Sequence, residues 1–408
     1  DVKPLLRSLL AAGLALTRLT VDTKLAAYQL DPADTDYSLD SLLQKHLGAE
    51  LAASEAQASG QLELGLDDAV PVGTEAARAA LAAALLAPSL LESLEAQGLA
   101  DLNRRVEVPL VRVLARMEHV GIGVDVAVLE RLRSELTAVC ETERAAVVAA
   151  AGEEFNVNSP KQLGPILFDK LGLTPGKKTK TGYSTDQATL EKLRGEHPIV
   201  EHLLRFREVE KLRSTYGEGL LHEVAPDGRI HATFNQTVAR TGRLSSDAPN
   251  LHNIPVRSEE GRKFREAFVP SPGYEFLVAD YNQIELRCIA HLSEDPGLVG
   301  AFTAGEDIHS STAARIFGVD PADVSVDQRS KSKMVSYGLA YGMEAYGLGQ
   351  RLGIPVGEAQ EILDAYFSAF PNVHSYMDAT VEEARRKGYT ETAFGRRRPI
   401  PELASSNF

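Results

Sequence analysis

Phe276-Leu277-Val278-Ala279-Asp280-Tyr281-Asn282-Gln283-Ile284-Glu285-Leu286-Arg287 is an apolar run that meets a carboxylate and then changes to helical spacing. The pattern predicts a buried strand, Glu275 to Ala279, that delivers Asp280 at its end and turns into a helix. A carboxylate at a strand terminus is held rigidly, with polar space ahead of it. Magnesium takes hard oxygen ligands, one or two from carboxylates and the rest from phosphate and water, so Asp280 is a candidate metal ligand. It is equally a candidate N-cap for the helix that follows.

A second segment weighs toward chemistry. In Arg329-Ser330-Lys331-Ser332-Lys333-Met334-Val335-Ser336-Tyr337-Gly338-Leu339-Ala340-Tyr341-Gly342, the residues Arg329, Lys333, Tyr337 and Tyr341 recur at intervals of four. On a helix they form one slowly drifting stripe. Two cations followed by two aromatics suit a triphosphate followed by a sugar and base. The plainer reading is a solvated helix with a half-buried aromatic end.

Outward from these segments the texture varies. Residues 1 to about 100 are rich in Ala and Leu, with an acidic Gly/Ser/Gln stretch from Ser54 to Asp68 that reads as a loop. From Leu102 to Gly152 helical periodicity dominates, and Val106, Leu110, Val113, Leu114 and Met117 form one apolar face expected in the core. Gly121-Ile122-Gly123 breaks the run before a second helix from Val126, which suggests an antiparallel helical hairpin. Thr174 to Tyr183 is a loop carrying Lys177, Lys178 and Lys180, either solvated surface or a clamp on a sugar-phosphate backbone. Ile230, Ala232 and Phe234 alternate as in a strand, and helices dominate after Asp280. The expected class is α+β, multidomain, an antiparallel sheet between mainly helical regions.

A length of 408 residues suits two to four domains. No stretch approaches the roughly 20 apolar residues of a membrane span, and no signal segment opens the chain. Cys140 and Cys288 lie too far apart to suggest a metal-site spacing or a disulfide, which fits a reducing cytosol. The net charge of −14 is unfavourable for holding a polyanion, but residues 1 to 100 hold 14 acidic against 6 basic side chains and so carry −8 of it. Beyond them the cations come in runs such as Arg396-Arg397-Arg398. An acidic total does not exclude basic grooves.

Asp280-Tyr281-x-Gln283-Ile284-Glu285-Leu286-Arg287 and the Arg329 to Gly342 segment, in this order, resemble two motifs of the family A DNA polymerases. Thr241-Gly242-Arg243-Leu244-Ser245-Ser246 and Pro249-Asn250-Leu251-His252-Asn253-Ile254-Pro255 add two more matches, and the resemblance runs from about Asn103 to Phe408. It implies a right-hand polymerase: thumb with the start of the palm over 103–225, palm over 226–294, fingers over 295–390 and an incomplete return to the palm over 391–408. Residues 1–102 resemble the end of the family's 3′-5′ exonuclease domain. Apolar residues stand around Leu5 and Ala79 where its metal ligands would fall, so that part is expected to be a degenerate remnant without proofreading.

The resemblance assigns roles residue by residue. Asp280 would bind two magnesium ions, with the Tyr281 carbonyl helping on one. Arg329, Lys333 and His309 would hold the incoming triphosphate, Lys333 donating a proton to pyrophosphate, with Gln283 nearby. Tyr337 would bind the nucleotide, its hydroxyl able to stand in for a missing 3′-hydroxyl, and Glu285 against Tyr341 would exclude a ribose 2′-hydroxyl. Arg243, His252 and Asn253 would reach the minor groove of the primer-template, and Arg257 and the lysine loop would support its backbone. The implied activity is template-directed DNA synthesis from deoxynucleoside triphosphates in replication and repair, by a monomeric, cytoplasmic, nucleoid-associated bacterial enzyme.

Three departures accompany the matches. Tyr337 stands where many members have Phe, and His252 where Gln is usual. The family's His-Asp-Glu segment, with its second metal-binding Asp, would lie beyond Phe408, so the chain as written is expected to be nearly inactive in synthesis. The alternative class is therefore a catalytically incompetent primer-template binding fragment. A single-subunit RNA polymerase is disfavoured by Glu285.

Overall fold

The computed structural model describes residues 1–51, 72–176, 178–179, 182–255 and 259–404. They form two units, Asp1–Phe276 with Phe394–Arg396, and Leu277–Ala393 with Arg397 onward. The acidic stretch from Ser54 to Asp68 lies outside the described residues.

The first unit opens with helices α1 (Lys3–Ala11), α2 (Thr23–Leu30), α3 (Leu39–Leu47) and α4 (Val72–Ala96). Asp22 and Ser38 accept backbone N–H groups at the starts of α2 and α3, which satisfies donors that a helix leaves unpaired. Leu86, Leu90 and Leu94 of α4 recur at fours and are fully buried in one cluster with Leu42, Leu43 and Ala26. By length and composition alone, Gly73–Ala96 could cross a membrane, which corrects the expectation that no stretch approaches that measure. Scattered charges such as Arg78 and Glu92 hide it from a search for unbroken apolar runs.

The next helix, α5 (Val108–Val120), buries a different face from the one expected. Of the five residues read as core, only Leu114 is buried, while Val106, Val113 and Met117 are 48%, 53% and 46% exposed. The buried face is Val108, Val111, Leu114, Ala115 and Glu118, and Val111 and Ala115 share a core with Leu6, Leu25 and Tyr28. Both sides of α5 are apolar, and the choice falls to α1, whose Lys3 and Arg7 meet the Glu118 carboxylate. A charged residue on the inner face is invisible to a periodicity argument. The outer face, with Val113, Met117 and Val120, lines an open apolar groove of about 590 Å³ with Ile122, Ile230 and Phe234.

No helical hairpin forms at Gly121-Ile122-Gly123. The residues Ile122–Val124 are strand β1, α5 packs on α1, and α6 (Val126–Ala151) packs on α7 (Pro198–Leu212). A short hairpin follows α6, β2 (Lys178–Thr179) with β3 (Gly182–Tyr183). The run around Ile230 resolves into β4 (Arg229–Ile230) and β5 (Thr233–Asn235), which belong to separate sheets. β1 is the centre of a three-stranded antiparallel sheet between β4 and β7 (Phe268–Val269), and β5 pairs with β6 (Ser245–Asp247). A Cβ on Gly121 would lie 2.7 Å from the Ile230 carbonyl oxygen, and one on Gly123 equally close to that of Val269. Only glycine lets the three strands approach this closely.

The second unit is helical: α8 (Ile284–Ser293), α9 (Ile308–Phe317), α10 (Val326–Ala340), α11 (Val356–Ala369) and α12 (Pro371–Lys387), then a hairpin of β8 (Tyr389–Glu391) and β9 (Arg397–Pro399). Leu286, Val335, Leu339, Tyr366 and Phe370 centre its core. The strand expected over Glu275 to Ala279 does not form, and Leu277 and Val278 are 94% and 87% exposed. A strand persists where a neighbour takes its N–H and C=O groups, and no described residue pairs with this one.

Candidate active site

In the second unit the chain passes Asp280 in an exposed turn and enters α8 at Ile284. The residue in the N-cap position is Gln283, three places after Asp280, so Asp280 does not cap the helix. Gln283 sits in the left-handed region with φ of 54°, a conformation costly to a residue with a side chain. That single residue redirects the backbone between Asp280 and Glu285. Arg287, one turn on, donates from Nε to the Asn282 carbonyl at 3.0 Å and lies over the Phe302 ring.

The stripe of fours lies on α10 as expected from Arg329 through Tyr337, and Tyr341 follows as the residue that ends the helix. Ser325 and Gln328 close a reciprocal capping box at its start, a signal present in the sequence as Ser-x-x-Gln. Arg329, Lys333 and Tyr341 are exposed and Tyr337 is half-buried. Burial first, and then the charges of Glu285 and Asp280 and the phenol of Tyr341, push the Tyr337 hydroxyl above its ordinary range. Asp280, Glu285, Tyr337 and Tyr341 thus share one electrostatic neighbourhood, and the phenol is a protonated donor at neutral pH.

His309 is 4% exposed and lies on α9, its ring centre 5.9 Å from that of Tyr337. Its backbone carbonyl accepts a 2.7 Å hydrogen bond from Ser332 Oγ, which fastens α9 to α10. Burial, reinforced by the Arg329 charge and partly offset by Asp307, lowers its pKa, so the imidazole is neutral at pH 7. Its Nδ1 is buried without a partner.

Asp307 was not among the expected site residues. It caps α9 by accepting from His309 N at 3.0 Å, and its second oxygen accepts from Arg329 Nε at 2.8 Å. Burial opposes its ionisation, but Arg329 and the amides of His309 and Ser310 outweigh it and hold the carboxyl below the usual range. The Asp-x-His spacing of a helix start was legible; its contact with an arginine 22 residues away was not.

The described residues hold no group of three or more metal-ligating side chains. A single carboxylate serves a magnesium ion that takes its other oxygens from phosphate and water, so Asp280 fits an ion arriving with substrate and does not by itself build a two-ion centre.

The first unit carries the other expected residues. Arg243 is exposed in the loop before β6. The loop after β6 is shaped by buried Ser246, whose Oγ donates to the Pro249 carbonyl at 3.0 Å and accepts from Leu251 N at 3.2 Å. His252 and Asn253 follow on a turn of 3-10 helix, both exposed, with the His252 ring against Phe234 and the Asn253 carbonyl accepting from the Tyr216 hydroxyl. Asn250, Asn253, Lys211 and Thr215 line one groove of about 690 Å³. Lys178 lies on the β2–β3 hairpin with Nζ 5.7 Å from the centre of the Tyr183 ring. Lys177, Lys180 and Arg257 lie outside the described residues.

Comparison with known proteins relates the chain to a family. The family described as DNA polymerase family A matches residues 126–408. The DNA polymerase I of Mycobacterium bovis is 45% identical over 415 aligned residues, covering 100% of this chain, and that of Geobacillus stearothermophilus is 45% identical over 398, covering 97% of it. The chain spans 45% of the length of each of these curated relatives. A solved structure, the POL domain of Pol1 from M. smegmatis in complex with DNA primer-template and dNTP, is 44% identical with a TM-score of 0.89, over 100% of this chain and 69% of that one. A family match over more than half of the chain, with relatives 45% identical over nearly all of it, places this protein in DNA polymerase family A.

Proposed function

We propose that this chain carries the nucleotide-binding and primer-template-binding surfaces of a DNA-directed DNA polymerase, with residues 103–225 as thumb and palm start, 226–294 as palm, 295–390 as fingers, 391–408 as the return to the palm and 1–102 as a degenerate exonuclease remnant. The observation that carries the reading is the stripe on α10, where Arg329, Lys333 and Tyr337 stand on one face with His309 beside them. The M. smegmatis complex, which holds both primer-template and dNTP, supports it.

In this reading Arg329 and Lys333 take the triphosphate and neutral His309 adds a polar contact. Asp280 and the Tyr281 carbonyl would hold magnesium, two ions in the full reaction, which supplies activation of the primer 3′-hydroxyl and neutralises charge on the phosphates. The primer 3′-hydroxyl gives its proton to solvent as its oxygen bonds to the α-phosphorus, the bond from that phosphorus to the oxygen bridging to the β-phosphorus breaks, and pyrophosphate leaves with a proton from Lys333, which solvent restores. Glu285 and Tyr341 leave no room for a ribose 2′-hydroxyl. Arg243, His252, Asn253 and Arg257 hold the primer-template end, and Lys177, Lys178 and Lys180 its backbone. The setting is a bacterial cytoplasm, at the nucleoid, as a monomer.

That the described residues hold no group of three or more metal-ligating side chains favours a second reading, a primer-template binding fragment without synthesis of its own. Primer extension with magnesium and four deoxynucleotides separates the two, using this chain beside one that continues through the family's His-Asp-Glu segment. Extension by the longer chain supports the polymerase reading; binding of primed DNA without extension by either supports the second.

A further inference from the structure

The N-terminal region has no metal-ligand cluster among the described residues, and its place in the molecule can be read from where its one fully buried tyrosine points. Tyr28, on α2, is 1% exposed, with its ring held edge-on by Tyr37 at 6.2 Å between centres. Its hydroxyl donates to the Ala239 carbonyl at 2.5 Å and accepts from the Gly242 amide at 3.1 Å. Those two groups also bond to each other across the turn Ala239-Arg240-Thr241-Gly242, at 3.2 Å. One phenol oxygen therefore pins both ends of a tight turn, and the next residue is exposed Arg243.

The turn is pressed from its other side. Gly242 has φ of 79°, and a Cβ there would collide with the Arg396 guanidinium. Arg396 is held in turn by the buried Glu107 carboxylate, which also accepts from Gln236 Nε2 at 2.9 Å. A turn gripped between a tyrosine from the N-terminal region and an arginine more than 150 residues downstream is built more firmly than a surface connection needs.

We propose that Tyr28, backed by the Arg396–Glu107 pair, is a positioning residue that presents Arg243 to the primer-template, so that the N-terminal region serves DNA binding. The proposal rests on the reading that Arg243 touches DNA. Holding the turn lowers the entropy that Arg243 must lose on binding, which raises affinity without a new contact.

Tyr28→Phe keeps the ring and removes only the oxygen. Hydrogen exchange at Gly242 and binding of a dye-labelled primed duplex, followed by anisotropy, are measured for the parent chain, Tyr28→Phe, Arg243→Ala and the double variant, with circular dichroism to confirm the fold. We expect faster exchange at Gly242 in Tyr28→Phe, binding weakened about three- to tenfold, the worth of one or two polar contacts, and no further loss when Tyr28→Phe is added to Arg243→Ala. Unchanged exchange or unchanged affinity in Tyr28→Phe, with Arg243→Ala still weakened, overturns the proposal and leaves the Arg243 reading standing. Equal losses from Tyr28→Phe with and without Arg243 also overturn it. Unchanged binding in Arg243→Ala removes the reading underneath.

Discussion

Replacing Glu118 by alanine should strongly destabilise the first unit without touching a candidate site. Its carboxylate is 1% exposed, pairs with Lys3, which is 10% exposed, and accepts from the Phe234 amide at 2.8 Å. Lys3 keeps one other acceptor, the Phe234 carbonyl at 2.8 Å. Removing one partner of a buried pair costs about 3–5 kcal/mol, because the remaining charge stays buried without compensation. The contact to Arg7, whose side chain is 36% exposed, adds little, since water screens it. The unmet Phe234 amide overlaps with the first cost, so about 4 kcal/mol is expected in total. For a domain of this size that is roughly 8–16 °C in melting temperature. Glu118→Gln, which keeps an acceptor for the amide, should lose about 2–3 kcal/mol. Lys3→Met with Glu118→Gln should recover to within about 1 kcal/mol of the parent, because no lone charge remains. Scanning calorimetry and urea unfolding read all three. A loss below about 1 kcal/mol for Glu118→Ala, or a double variant no better than Glu118→Gln, would refute the reasoning.

Further outcomes follow from the second unit. Folding keeps His309 neutral below its ordinary value of 6.5, so the unfolded chain takes up a proton first as pH falls. The contribution is intact above pH 6.5 and is lost as pH drops toward the lowered value, with Asp307, Arg329 and Lys333 facing the ring. Urea midpoints between pH 7 and 5 should therefore fall more steeply for the parent than for His309→Gln; parallel slopes count against it. Gln283→Gly relieves the left-handed backbone at φ of 54° and should leave stability equal or up to about 1 kcal/mol higher, while primer extension by a synthesis-competent chain drops at least about tenfold. Extension at the parent rate would show that the Gln283 side chain has no part in the reaction. In the same chain Tyr337→Phe should lower dideoxynucleotide use relative to deoxynucleotide use by about tenfold or more, since the protonated phenol is lost as a donor to the incoming nucleotide. Competitive incorporation measures the ratio, and an unchanged or higher value sinks the idea.

What the sequence made legible was local. The stripe from Arg329 to Tyr337 needed only the period of a helix, and α10 carries it as expected. The face of α5 was misjudged because two apolar sides compete there and the winner is chosen by Lys3, which lies 115 residues from its partner Glu118. The strand before Asp280 failed for a related reason: an apolar run states a preference, and only a paired neighbour turns it into a strand. Gly121-Ile122-Gly123 carried the signature of a turn, yet its glycines serve close strand packing on both sides. Asp307 and Tyr28 escaped notice, and Arg396 was read only as part of a basic run and not as the partner of Glu107, because each acts on a residue far along the chain and no spacing rule reaches that far.

The pair between Arg396 and Glu107 also sets a schedule. Its partners are 289 residues apart, so during synthesis at roughly 5–20 residues per second Glu107 is made about 15–60 seconds before Arg396. Until Gln236 follows, 129 residues after Glu107, and then Arg396, the carboxylate lacks both of these partners. A ribosome stalled within α8 to α12 would therefore present a first unit in which Glu107 still lacks Arg396.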